Sequence, residues 1–221
     1  MNEWQTIWEA RDLFLDGFLK TIYLFIVSSV IGMAIGLSLL YVLETNNRIT
    51  NQLVRSLVNM MRTLPFLILA YLLYYGLPQM GLRMEADTAG LIALSIYHGA
   101  YFCEILRGQR LVMAKGLVEA AEAHGFRQYQ VYLHIILPNI LLSSLPLLAN
   151  QLIICLKDTA FLCIITVQEV TAAANSVQST YFIPFKAFLM AILLYWIVGL
   201  FIEYSAHFIG RLGRKKGFYH A

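Results

Sequence analysis

The chain has 221 residues, 59% of them hydrophobic and 13% charged, with a mean hydropathy of +0.67. That balance excludes a water-soluble domain of this size, so lipid is the solvent for most of the chain. The formal net charge of +3 calls for no nucleic-acid partner, because it follows from the sidedness of the basic residues described below.

The opening segment, MNEWQTIWEARDLFLDGF, is acidic and lacks a basic start with a small-residue cleavage site, so it is not read as a removable signal peptide. Trp4 and Trp8 suit a membrane interface. Residues 21–43 form a run of 23 without Asp, Glu, Lys or Arg, and residues 63–82 a run of 20. At about 1.5 Å per helical residue each can cross a hydrocarbon core of about 30 Å. Further charge-free runs lie at 88–103, 128–156 and 187–202, the shorter of which are extended by flanking residues that snorkel. The pattern predicts an all-α membrane protein, one domain over 1–221, with five transmembrane helices near 17–43, 55–78, 88–106, 135–156 and 184–208. Gly32 and Gly36 in the first span allow close helix approach in lipid, and they equally fit the ordinary tolerance of glycine in membrane helices. Pro65 and Pro78 bracket the second span, and Pro138 and Pro146 mark the fourth; each frees a backbone carbonyl that needs protein or water beside it.

Five spans put the two ends of the chain on opposite sides. One side then carries residues 44–62, the segment 107–138 and the C-terminal tail, with 11 of the 16 Lys and Arg residues: Arg48, Arg55, Arg62, Arg107, Arg110, Lys115, Arg127, Arg211, Arg214, Lys215 and Lys216. The positive-inside rule makes that side cytoplasmic and the N-terminus external.

Chemistry of its own is sparse. There is no G-x-x-x-x-G-K-[ST] loop and no G-x-G-x-x-G after a strand, so nucleotide phosphates are not bound by those routes. The five histidines form no H-E-x-x-H, and no serine sits in a G-x-S-x-G turn. Cys103, Cys155 and Cys163 lie in apolar runs without paired spacing and read as packing residues. No cofactor or metal is expected, and the chain is read as a non-enzyme.

The longest inner loop, 107–138, contains LVEAAEAHGFRQYQVYLHIILP. A helix through Glu119–His124 carries small residues at Ala120, Ala121 and Ala123, so another protein surface can approach. Gly125 allows a left-handed turn, and a second helix leads to Leu137 and Pro138. Composition alone leaves open a docking knob and an amphipathic connector lying on headgroups. Glu119, Ala120, Ala121, then Gly125, then ILP ending at Pro138, resembles the EAA loop of permease subunits from ATP-binding-cassette importers. GFLKTIYLFIVSSVIGMAIG, MRTLPFLILAYLLYYGLP, HGAYFCEILRGQ, LPLLANQLIICLKDTAF and STYFIPFKAF extend the resemblance to the polar amino acid branch over residues 17–210. Leu117, His124 and Ala160 depart from the usual residues at their positions.

The resemblance implies a subunit of the bacterial inner membrane that imports a polar amino acid. It would work with a second permease copy or paralogue, two ATP-binding subunits and an extracytoplasmic substrate-binding protein. The coupling residues carried over are Glu119, Ala120, Ala121, Gly125, Leu137 and Pro138. Candidate pathway residues are Glu104, Asn150, Lys157, Asp158, Thr159 and Glu169, since intramembrane ionisable groups face a bundle interior or a wet cavity. Each has a structural alternative: Glu104 pairing with Arg107 or Arg110, a Lys157–Asp158 ion pair or span end, and a solvated outer loop for Glu169. The STYFIPFKAF stretch together with Glu104 leans the substrate reading toward basic amino acids or opines such as octopine. A solute channel without an ATPase is the alternative function.

Overall fold

The computed structural model describes residues 3–44 and 47–215, and over them it consists of helices and turns. Lys216, one of the basic residues assigned to the inner side, lies outside the described residues, as do the side chains of Arg214 and Lys215. Four helical segments are long and apolar enough to cross a membrane: Arg11–Leu43, Ala86–Val112, Leu145–Ile165 and Pro184–Gly213. A bent pair, Arg48–Thr63 with Phe66–Met80, makes a fifth if counted as one span.

A short α1 (Glu3–Glu9) leads into α2 (Arg11–Leu43), which begins six residues before the expected start at 17. Its partner is α5 (Ala86–Val112). Lys20 meets Asp87 at one end, Gly32 lies against Ser95 and Gly99 in the middle, and Glu44 pairs with Arg110 at the other, so the two helices run parallel. A Cβ on Gly36 would come within 2.9 Å of the Cys103 backbone nitrogen, closer than real Cβ contacts. The G-x-x-x-G pair is thus a packing device within this chain.

Between them, α3 (Arg48–Thr63) starts at Asn47, whose side chain accepts from the N–H groups of Ile49 and Thr50 at 3.1 and 3.3 Å. That cap satisfies two of the helix's open donors. It ends at Leu64, extended because Pro65 follows, and α4 (Phe66–Tyr71) departs at 100°. The span expected over 55–78 is therefore bent: its first third belongs to a separate helix. α4 continues through a π turn (Leu72–Gly76) and a 3-10 turn (Leu77–Met80), closed by Gly81 at φ +85°.

After α6 (Lys115–Ala123) and α7 (Gln128–Val131), a π turn (Tyr132–Ile136) precedes α8 (Leu137–Ser143). Pro138 lacks an N–H for the preceding turn, which widens there. Ser144 separates α8 from α9 (Leu145–Asp158), which tightens into a 3-10 turn (Thr159–Ile165). The fourth span expected at 135–156 is thus interrupted and shifted toward the C-terminus. α10 (Val170–Tyr181) is bracketed by two non-glycine residues with left-handed backbone, Thr166 and Phe182, and α11 (Pro184–Lys215) follows with proline in its first turn.

Three apolar clusters stack along the bundle. Ile7, Phe14, Val170, Val177 and Ala187 pack at one end, and Leu24, Phe66, Leu94, Leu156 and Leu162 in the middle. Leu40, Val58, Phe102, Leu106, Val131 and Ile140 pack at the other end, beside the arginine-rich layer. Cys103 and Cys155 are buried and Cys163 half-buried, all free thiols.

Candidate functional site

A groove of about 590 Å³ opens between α9 and α11. Its apolar walls come from Leu145, Pro146, Ile153 and Ala206, and its polar groups are Asn150, Lys157, Glu203 and His207. These four side chains are exposed, and neither Lys157 nor Glu203 makes an ion pair among the described residues. Asn150 and Lys157 lie seven residues apart, two helical turns, on one face of α9; Glu203 and His207 are one turn apart on α11. A cation and a carboxylate on facing helices, with an amide and an imidazole beside them, can bind a small zwitterion through charge and hydrogen bonds.

Two expected pathway residues, Asn150 and Lys157, line this groove. Glu203 and His207 were missed because the sequence reading used Glu203 only to end a charge-free run. The signal was available in their spacing, since residues i and i+4 share one helical face.

The other candidates have different surroundings. Glu104 accepts two hydrogen bonds from Arg107, at 2.9 and 2.6 Å, and lies 3.5 Å from Arg62. Arg110 pairs instead with Glu44 at 3.0 Å. Asp158 turns to the fully buried His98, with 3.3 Å between Oδ2 and Nε2. Gln151 Nε2 lies 2.8 Å from His98 Nδ1; with the amide as donor there, the ring proton sits on Nε2 and faces Asp158. The Lys157–Asp158 ion pair, the structural alternative for these two residues, does not form, because successive residues of a helix point about 100° apart. Thr159 is buried and donates to the Leu156 carbonyl at 2.7 Å.

Glu169 lies outside the groove, and the solvated loop that was its structural alternative does not describe its surroundings. It is fully buried and caps α10, accepting from the N–H groups of Thr171 and Ala172 at 2.8 Å each and from the Tyr195 hydroxyl at 2.6 Å. Three donors are what allow a buried carboxylate to persist there.

The segment carrying Glu119 is a second exposed feature. α6 ends with Gly125 at φ +79°, where the Phe126 N–H bonds to the Ala121 carbonyl at 3.1 Å and the Gly125 N–H to the Glu122 carbonyl at 2.9 Å. This is a glycine helix stop of the Schellman kind. Glu119, Ala120 and Gly125 are exposed, whereas Ala121 packs into the cluster of Val131 and Tyr132. The small-residue face expected at Ala120, Ala121 and Ala123 is therefore split: positions 120 and 123 share the outer face and 121 turns inward. Leu137 and Pro138 are half-buried at the start of α8, one helical element beyond the knob.

A family model described as binding-protein-dependent transport system inner membrane component matches residues 28–214. The chain is 27% identical over 210 residues to the probable glutamine ABC transporter permease protein GlnM of Bacillus subtilis, covering 95% of this chain and 97% of that one. It is 30% identical over 195 residues to the histidine/lysine/arginine/ornithine transport system permease protein HisQ of Salmonella typhimurium, covering 83% and 85%. A chain from the crystal structure of an amino acid ABC transporter with histidines superposes with a TM-score of 0.85 at 26% identity, covering 94% of this chain and 97% of that chain.

Proposed function

Because the chain belongs to the family of binding-protein-dependent transport system inner membrane components, we propose that its α9–α11 groove receives a polar amino acid in its zwitterionic form. The chain is the permease subunit of an ABC importer for polar amino acids in the inner membrane, and a partner ATPase hydrolyses the ATP. The groove carries the substrate reading: Lys157 suits an α-carboxylate and Glu203 an α-ammonium, while Asn150 and His207 offer hydrogen bonds to a polar side chain.

The complex follows the binding-protein-dependent pattern, with an ATPase inside and a binding protein outside. In our reading two ATP-binding subunits engage the α6–Gly125 segments of two permeases, identical or paralogous. The arginine-rich end faces the cytoplasm and the N-terminus lies outside. Closure of the ATPase pair draws the two segments together and favours one of two bundle states; the effect rests on differential contacts in those states. Family membership removes the channel alternative, which would need no coupling segment.

A basic amino acid or an opine is the second reading. Glu104, which with the STYFIPFKAF stretch suggested it, is held by arginines, and Glu169 by helix donors, so Glu203 is the carboxylate that keeps it alive. Uptake into proteoliposomes by the complex with its binding protein, measured for glutamine, histidine, arginine and octopine, decides between them. Saturable ATP-dependent uptake of at least one polar amino acid is expected. Uptake of none of them by an ATPase-active complex defeats the reading, and uptake of arginine or octopine alone selects the second.

A further inference from the structure

Helix α3 (Arg48–Thr63) has three faces, and only one of them is used inside the chain. Val54, Val58 and Met61 pack into the cluster beside α5. Ile49, Leu53, Leu57 and Met60 form a neighbouring stripe that is open, with Ile49 73% and Leu53 66% exposed. The third face carries Arg48, Asn51, Gln52 and Arg55 around an open recess of about 540 Å³.

Charge and geometry on this helix agree. RITNQLVRSLVNMMRT contains three arginines and no acid. Arg62 is engaged by Glu104 at 3.5 Å, while Arg48 and Arg55 make no ion pair among the described residues. They are two turns apart on the same side of the helix. The 100° bend sets α3 almost perpendicular to α4. If α4 crosses the bilayer, α3 lies close to its plane, with one edge basic and the adjoining edge apolar. A helix in that orientation, rich in arginine and free of acid, matches the boundary between anionic headgroups and acyl chains.

We propose that α3 is an interfacial helix that docks anionic phospholipid. Arg48 and Arg55 hold headgroup phosphates, Asn51 and Gln52 donate amide hydrogen bonds to them, and Ile49, Leu53, Leu57 and Met60 enter the upper acyl layer. Phosphodiester oxygens suit guanidinium because two parallel N–H bonds can reach one phosphate. This surface is separate from the α9–α11 groove and does not depend on the substrate assignment.

The test uses the transporter complex purified from membranes through a tag on this chain and placed in nanodiscs of equal phosphatidylglycerol and phosphatidylcholine. After mild detergent stripping, lipid mass spectrometry should find phosphatidylglycerol enriched on the wild type. The Arg48→Gln/Arg55→Gln variant should lose about fivefold of that enrichment per arginine removed, and the Arg48→Lys/Arg55→Lys variant should keep most of it. Equal enrichment in the glutamine variant and the wild type overturns the proposal. A nitroxide on Leu53→Cys, in protein whose Cys103, Cys155 and Cys163 are replaced by alanine, should relax with membrane-dissolved oxygen, and one on Gln52→Cys in the same background with aqueous nickel. A Leu53 label shielded from both reagents would mean that a partner subunit covers the stripe, and the proposal fails. This measurement decides the matter even if the glutamine variant does not assemble.

Discussion

The α2–α5 seam and the outer flank of α11 are both built from long apolar helices containing glycine, yet their glycines meet opposite surroundings. At the seam, Gly32, Gly36 and Gly99 bring backbone against backbone, and a Cβ on Gly36 would strike Cys103 and Phe102 at 2.9 Å. On α11, Gly199 and Gly210 have nothing within 4 Å of an added Cβ, and Trp196, Ile197 and Phe201 are exposed. One side of the bundle is closed by its own chain and the other is left open around a polar groove. Without a strong hydrophobic force between helices in lipid, close packing has to be supplied by small residues. Where they are not used for contact, the helix is available to something outside the chain.

The comparison breaks most visibly at the seam. Gly36→Ala should lower the stability of the detergent-solubilised protein by roughly 1–3 kcal/mol, since the neighbours of the added methyl are backbone and the base of a side chain. Thermal unfolding followed by size-exclusion chromatography reads this, and an unchanged melting temperature would remove the seam as the rigid side. The groove should respond in function instead of stability. Glu203→Gln is expected to reduce uptake about tenfold, equivalent to roughly 1.4 kcal/mol of lost charge pairing, with assembly and melting unchanged. A parallel loss of assembled complex would assign Glu203 to packing. The smallest effect belongs to Gly199→Ala, which should shift melting of the isolated chain by no more than roughly 0.5 kcal/mol in either direction. A drop as large as that of Gly36→Ala would show that exposure in the isolated chain does not distinguish the two sides.

The helical membrane class was legible because charge-free length is a one-dimensional property, and so was the glycine stop at Gly125, which a local turn demands. The bend at Leu64–Pro65 was half visible: Pro65 was noted, but a run of uncharged residues from 63 to 82 hid the fact that the preceding residues are amphipathic with a separate capping Asn47. Long-range partners were not legible. Glu169 reads as a loop carboxylate until Tyr195, 26 residues later, is placed against it. His98 sits in a charge-free run, and Asp158, 60 residues away, is adjacent to a lysine that looks like its natural partner. Glu203 and His207 had a spacing signal, but the facing helix that turns them into a groove is a tertiary fact.

The cap at Glu169 constrains motion as well as position. Its carboxylate ties the start of α10 to Tyr195 on α11, the Val170 N–H bonds to Thr21 Oγ1 on α2 at 3.2 Å, and Gly17 lies against the Glu169 backbone. Separating α10 from α11 would strip a buried carboxylate of one of its three donors, at a cost on the order of 1–3 kcal/mol. These contacts tie the start of α10 to α2 and α11 at one place. Ser144, where α8 hands over to α9, has no such tie among the described residues and lies between the groove-lining Leu142 and Leu145.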